Sequence, residues 1–388
     1  MRKLSLLAFS LILLLSGCAP NFQQEDSVVQ TEDKKEEKAI IPKYNISDNY
    51  YRTILPFEPG EARGLVVGNV NTRYDINEFE TGLMRIAQHS FDPKTYLFQE
   101  GQELKRDTVR SWLNRKFTNA QLKEKGLEEE ENIGLNPLIE DNVDFKEGNK
   151  SSPIYLAHIL EHNYLIKGDD NTVKLGGVVI GLALNSVHYY RTAIGEPYFE
   201  EEISFKEMER EGQKIAQEVL KRLRAKKGLK DVPITIALFK QQSKSSVVPG
   251  NFFAYTTASK GNSAIDKWEK VDERYFLFPS TEAQELHRDD VTAFLNFKQD
   301  VEKYFPNFNG VIGRAFYVGD QFQDLNITIP IQFYGKTEAI GFTQYVTGLV
   351  LEHFPNYISV SVSVTSVDGP EALIVRKANE TEPFVHIY

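Results

Sequence analysis

One cysteine stands in 388 residues, at Cys18, so the chain can form no intramolecular disulfide, CxxC zinc site or dithiol redox centre. Basic residues are in the minority: 45 Lys plus Arg face 55 Asp plus Glu, a net charge of -10, and the electrostatic footprint of a nucleic-acid binder is missing. The sequence also lacks a P-loop, a GxGxxG after a strand, a GxSxG elbow and an EF-hand loop. Apolar material is plentiful. Hydrophobic residues make up 41%, with 25 Phe and 18 Tyr, enough to fill sizeable cores and to exclude wholesale disorder. The length is too great for one compact core and predicts two folded modules plus appendages.

The apolar run Leu4 to Leu15 is too short for a permanent spanning helix, which needs about 20 apolar residues, and it follows the basic Arg2 and Lys3. That is the pattern of an export signal. Its end, Leu15-Ser16-Gly17-Cys18, resembles a bacterial lipobox and predicts cleavage between Gly17 and Cys18 by a lipoprotein signal peptidase, once the Cys18 thiol carries diacylglycerol. Losing Arg2 and Lys3 takes the net charge from -10 to -12. So acidic a chain does not adhere electrostatically to an anionic membrane, and the lipid must hold it there. Residues 18–45 then read as the lipidated cysteine and a flexible acidic tether, because QQEDSVVQTEDKKEEK is polar, mixed in charge and without apolar periodicity.

The body reads as α+β: two similar modules of mostly antiparallel sheet with packed helices. Asp75 with Glu78, and Ser204 with Glu207, form capping boxes ahead of apolar residues at helical spacing, and Gly228 is a stop for the second helix. Ile358, Val360, Val362 and Val364 alternate with Ser359, Ser361, Ser363 and Thr365, a strand with one buried face. Leu325 to Phe333 alternates likewise, but Pro330 predicts an edge strand or a bulge there. QELKRDTVRSWLN at 102–114 aligns with QELHRDDVTAFLN at 284–296, and both halves continue as strand, helix, strand: 173–184, 204–227 and 232–239 against 325–334, 337–354 and 357–366. Internal duplication follows, with modules at 46–241 and 250–388, a boundary in the aperiodic QQSKSSVVPG of 241–250, and an insertion at 118–168 in the first half.

Inside that insertion lies HILEH, His158 to His162, the HxxEH order of inverted zinc proteases. On a helix started by Ser152-Pro153, His158 and His162 would share one face and a zinc, with Glu161 as general base. No distinctive third-ligand motif follows, so the plainer reading keeps the helix and packs Tyr155, Leu156, Ile159 and Leu160, leaving the histidines at its wet edge. His89, His188, His287, His353 and His386 are scattered and read as surface or helix-end residues. Tyr50-Tyr51, Tyr189-Tyr190 and Phe252-Phe253 can line a groove for cell-wall glycan or peptide, although core packing is the simpler use of such residues.

The stretch Arg63 to Gln102, RGLVVGNVNTRYDINEFETGLMRIAQHSFDPKTYLFQEGQ, together with the lipobox and acidic tether, resembles the CamS sex-pheromone lipoproteins of Firmicutes, and the resemblance covers essentially the whole chain. It implies a lipoprotein on the extracellular face of a Gram-positive cell membrane, held by lipid on Cys18. It also implies that a short apolar peptide at the end of the signal sequence is released as a conjugation pheromone. The corresponding segment here is Leu11 to Gly17, LILLLSG, richer in Leu than the family's Ile, Phe and Ala pattern. The expectation for the body is a binding module without enzymatic activity, cofactor or nucleic-acid partner; the alternative is a cell-envelope zinc metallohydrolase acting through His158, Glu161 and His162.

Overall fold

A computed structural model describes residues 26–32, 35–42, 46–47, 50–168, 172–304 and 310–388, so the expectations for Leu11 to Gly17 and for Cys18 lie outside the described residues. The first sheet is built from β1 (Asp26–Glu32), β2 (Lys35–Ile41), β3 (Arg52–Thr53), β4 (Tyr96–Glu100), β5 (Leu156–Lys167), β6 (Thr172–Asn185), β9 (Ile234–Gln241), β10 (Asn251–Ala258) and β11 (Glu269–Lys270), while β7 (Val187–Tyr190) and β8 (Phe199–Glu202) form a separate hairpin. Its main order is β11-β10-β9-β6-β5-β4-β3, with β1 beside the start of β6 and paired to β2.

Strand β6 shows why this sheet is a middle layer. Its sequence does not alternate with polar residues: Val178, Ile180, Leu182 and Leu184 face one side and Val179 and Ala183 the other, all buried. Helix α2 (Arg73–Ala87) covers the Val179 side with Phe79, Leu83, Ile86 and Ala87. Gly181 has no Cβ and lets Phe79 and Leu83 seat directly against the strand. Helix α6 (Phe205–Ala225) covers the other side with Met208, Ile215, Val219, Leu220 and Leu223, each burial contributing about 1.5–3 kcal/mol. Ser204 caps α6 as expected, its Oγ accepting the Glu207 N–H. Helix α2 starts earlier than its sequence suggests: Thr72 is the cap, accepting the Asp75 N–H, while the buried Asp75 carboxylate accepts N–H groups of Gly250 and Gln242.

The second sheet, in the order β12 (Glu273–Phe278), β13 (Ile312–Val318), β14 (Gln321–Pro330), β15 (Ser359–Ser366), β16 (Gly369–Arg376) and β17 (Phe384–Ile387), carries helices α8 (Arg288–Tyr304) and α9 (Lys336–His353) on one face. Val360, Val362 and Val364 of β15 are buried and the intervening serines are partly exposed, as the alternation predicts. Strand β14 is central, not an edge, but it carries the expected bulge, between Phe322 and Asp324 opposite β13; Pro330 itself is tolerated as the last residue of the strand.

The two sheets repeat one plan. In both β4-β5-β6-β9-β10 and β12-β13-β14-β15-β16, successive pairings are antiparallel, antiparallel, parallel, antiparallel, and a helix, α6 or α9, forms the parallel crossover. The aligned segments match too: Val109 and Val291 lie three residues into RDTV and RDDV and are both fully buried.

Three expectations need correction. The 241–250 segment joins β9 to β10 inside the first sheet, so the change of module falls at Val271-Asp272 instead, where one strand run ends and β12 begins. The apolar strand after it belongs to the first module because Phe252 and Ala254 complete its core. The inserted part stops before β5, which is the counterpart of β13, so 156–167 is framework and not insertion. Residues 26–32 and 35–41, expected to be loose tether, pair as the antiparallel strands β1 and β2.

Candidate functional site

The HILEH run forms neither a helix nor its wet edge. It lies in β5, paired along β6 from Leu156 to Lys167, where β6 offers a long apolar strand to bond against. A separation of four brings two residues to one face in a helix and, being even, also in a strand; a separation of three does so only in a helix. His158 and His162 therefore still share a face, opposite Ala183 and Val179 beneath α2, while Glu161 points to the other side opposite Ile180. All three are buried, at 2%, 3% and 7% exposure.

Each of the three has separate surroundings. The Glu161 carboxylate accepts the backbone N–H groups of Gln102 at 3.1 Å, Glu103 at 3.0 Å and Leu104 at 2.6 Å, holding the chain where it leaves β4. Burial pushes its pKa up to about 7, against the pull of those N–H groups. His158 Nδ1 lies 3.3 Å from Asn69 Nδ2, and its ring meets Phe79 edge-on. His162 meets the Phe98 ring edge-on at 4.9 Å, and its Nδ1 has no hydrogen-bond partner. Burial lowers the two imidazoles to about 4 and about 3, so both are neutral at pH 7. Asn163 Oδ1 and Tyr164 Oη, next along β5, are also buried without partners. Three successive unsatisfied side chains on one strand are uncommon, since buried polar groups normally find partners.

A cavity of about 160 Å³ forms beside these imidazoles. Its origin is the early end of β4: Gly101 donates its N–H to Glu161 O at 3.0 Å, then the chain turns away and leaves β5 from His158 to Leu160 without that neighbour. Gly101 is required there, because a Cβ would collide with the Glu161 side chain. Segment 60–66 covers the gap, tied down by Gly60 N–H to Glu100 Oε2 at 2.6 Å and Glu61 N–H to Gly101 O at 3.1 Å. Val66, Met84, Phe98, Leu104, Val109 and Leu160 line the interior, and Arg63, Glu80 and Glu100 stand around it. Sequence reasoning did not identify these last residues as a site. The signal that was available is their origin: eight of the seventeen lining residues come from the Arg63 to Gln102 stretch.

Other expectations resolve more simply. Tyr51, Tyr190, Phe252 and Phe253 are buried, and Tyr51 Oη donates to Phe91 O at 2.6 Å, so these aromatics build core and not a groove. His188 is buried, contrary to a surface reading, with Nε2 3.0 Å from Asn149 Oδ1. His353 is a helix-end residue as expected, 2.8 Å from Asp300 Oδ2. Among the described residues, no group of three or more His, Cys, Asp or Glu is placed to hold a metal ion, and no helix is long and apolar enough to cross a membrane.

No curated protein matches the chain. Solved structures resemble it over most of its length. The C-terminal domain of the sex pheromone staph-cAM373 precursor from Staphylococcus aureus has 32% identity and a TM-score of 0.72, covering 82% of this chain and 98% of that one. The sex pheromone precursor from Lactobacillus salivarius has 30% identity and a TM-score of 0.80, covering 90% and 98%. The family model described as CamS sex pheromone cAM373 precursor matches residues 57–382, which include the whole cavity and both sheets apart from strands β1, β2, β3 and β17, and the chain belongs to that family.

Proposed function

We propose that this member of the pheromone precursor family is a lipoprotein held by acylated Cys18 on the extracellular face of the cell membrane, and that its folded body is a binding module. The lipobox-like Leu15-Ser16-Gly17-Cys18 supports the anchor. Binding rather than zinc hydrolysis is supported by one observation above others. Glu161 lies on the opposite sheet face from His158 and His162 and spends its carboxylate on three backbone N–H groups, so it cannot serve as base to water on a metal held by those imidazoles. The cavity beside His162 is the place where the body takes its ligand, with wall glycan or peptide as the available partners. The signal-sequence fragment ending at Gly17, and not the body, carries pheromone activity.

Replacing Cys18→Ala tests the anchor: the protein should be released to the medium or remain as an uncleaved precursor. Processing and membrane retention equal to those of the unmodified protein would refute it. Zinc bound stoichiometrically by purified protein, and lost in His158→Ala, would refute the binding-module reading.

A further inference from the structure

Resting on the reading of the cavity as a binding site, we infer that its ligand is a primary amine attached to an apolar body about the size of a benzene ring. Size comes first: about 160 Å³ is close to the cavity volume that accepts benzene in a protein interior. The walls are mostly apolar side chains, among them Met84, Phe98 and Leu160, so the inserted group is apolar. His162 lines this space with a neutral imidazole, an aromatic wall that does not repel a nearby ammonium group.

The charge of the ligand comes from Glu80. It is exposed on α2 beside the cavity and makes no hydrogen bond or ion pair among the described residues. Although the residue as a whole is exposed, partial burial of its carboxylate against the cavity rim and repulsion from Glu100 hold its pKa above the usual carboxylate value, and Arg63 only partly offsets them. Arg63 is itself engaged, 3.8 Å from Glu100 and stacked over Phe57. Arg106 does not line the cavity; it donates to Arg63 O at 2.5 Å. A carboxylate beside an apolar hole, with the one lining guanidinium already paired to Glu100, is complementary to an ammonium group. Such a group can come from a free amine or from the amino terminus of a peptide with an apolar first residue.

The test uses one body with three heads, titrated by calorimetry into the folded protein at pH 7: phenethylamine, phenethyl alcohol and 3-phenylpropionate. The His162 ring resonances report where each binds, with those of His353 in the other module as the control. The amine should bind about tenfold more tightly than the alcohol, a gap of about 1.4 kcal/mol, and the acid most weakly. The exposed substitution Glu80→Gln should remove the amine's advantage while leaving alcohol binding unchanged. Equal binding of alcohol and amine would overturn the charge inference and leave the cavity reading intact. Failure of all three to shift His162 would overturn both. A phenylalanyl peptide with a free or acetylated amino terminus then separates the sources: binding of the free form alone identifies peptide termini, and exclusion of both identifies free amines.

Discussion

Arg85 on α2 grips Glu273 on β12 with both ends of its guanidinium, Nε to Oε1 at 2.8 Å and Nη2 to Oε2 at 2.7 Å, and so fastens the first module to the second. The same Nη2 reaches Glu78 Oε1 at 2.5 Å, and Tyr275 Oη donates to Glu78 Oε2 at 2.6 Å. Phe316 closes the cluster, its ring under the guanidinium at 4.8 Å. One cation thus pairs with two buried carboxylates drawn from different modules, and neither helix nor strand can shift without unpairing them.

Substituting Arg85→Met should therefore cost about 2–4 kcal/mol, the lower part of the effect of breaking a buried pair, because a third of the Arg85 side chain still meets water. The double variant Arg85→Met with Glu273→Met should recover part of the loss. Urea denaturation measures both; an unchanged midpoint for the single variant would show that the pair does not stabilise the joint.

Acid sensitivity should trace to β5. His158 and His162 have folded pKa values of about 4 and about 3, below the 6.5 of an unperturbed histidine, so the unfolded chain binds more protons in between. The stability they confer is complete above pH 6.5 and is lost as pH falls towards those values. Glu161, raised to about 7 from 4.5, acts in the opposite sense, because there the folded chain holds the extra proton. Melting temperatures of the protein and of His158→Phe with His162→Phe, followed from pH 7.5 to pH 4, should show the protein losing stability relative to the variant as pH falls. Parallel curves would contradict buried, neutral imidazoles.

Two glycines should respond with opposite signs. Gly101→Ala places a Cβ into the Glu161 side chain and should cost about 1–3 kcal/mol. Gly348, exposed in the interior of α9 with nothing within 4 Å, should gain about 0.5–1 kcal/mol as alanine. Thermal melts distinguish these outcomes directly.

For the released fragment, synthetic LILLLSG should induce clumping of a responsive enterococcal strain more weakly than a peptide with the family's Ile, Phe and Ala pattern, since each changed methylene at a receptor is worth about 1–3 kcal/mol. The purified body should be silent. Clumping by the body alone, with peptide excluded by mass spectrometry, is the contrary result.

Much of the framework is a local property of the sequence. The Ser204 cap, the valine–serine alternation of β15, the apolar run of β6 and the matched RDTV and RDDV helix starts are short-range patterns, and each survives in the fold because the neighbouring structure asks for the same conformation. The repeated element order was legible for the same reason. What the sequence could not decide was which strands pair across a loop. That is why 241–250 resembles a linker and proves to be a turn within one sheet. HILEH likewise satisfies helix and strand periodicity in its histidines, and only pairing with β6 selects the strand and turns Glu161 away from them. The cavity is further still from any local signal. It exists because β4 ends opposite His162 and leaves β5 from His158 to Leu160 uncovered, and because Glu80 and Arg63, distant in sequence from His162, are brought to the gap by α2 and by segment 60–66.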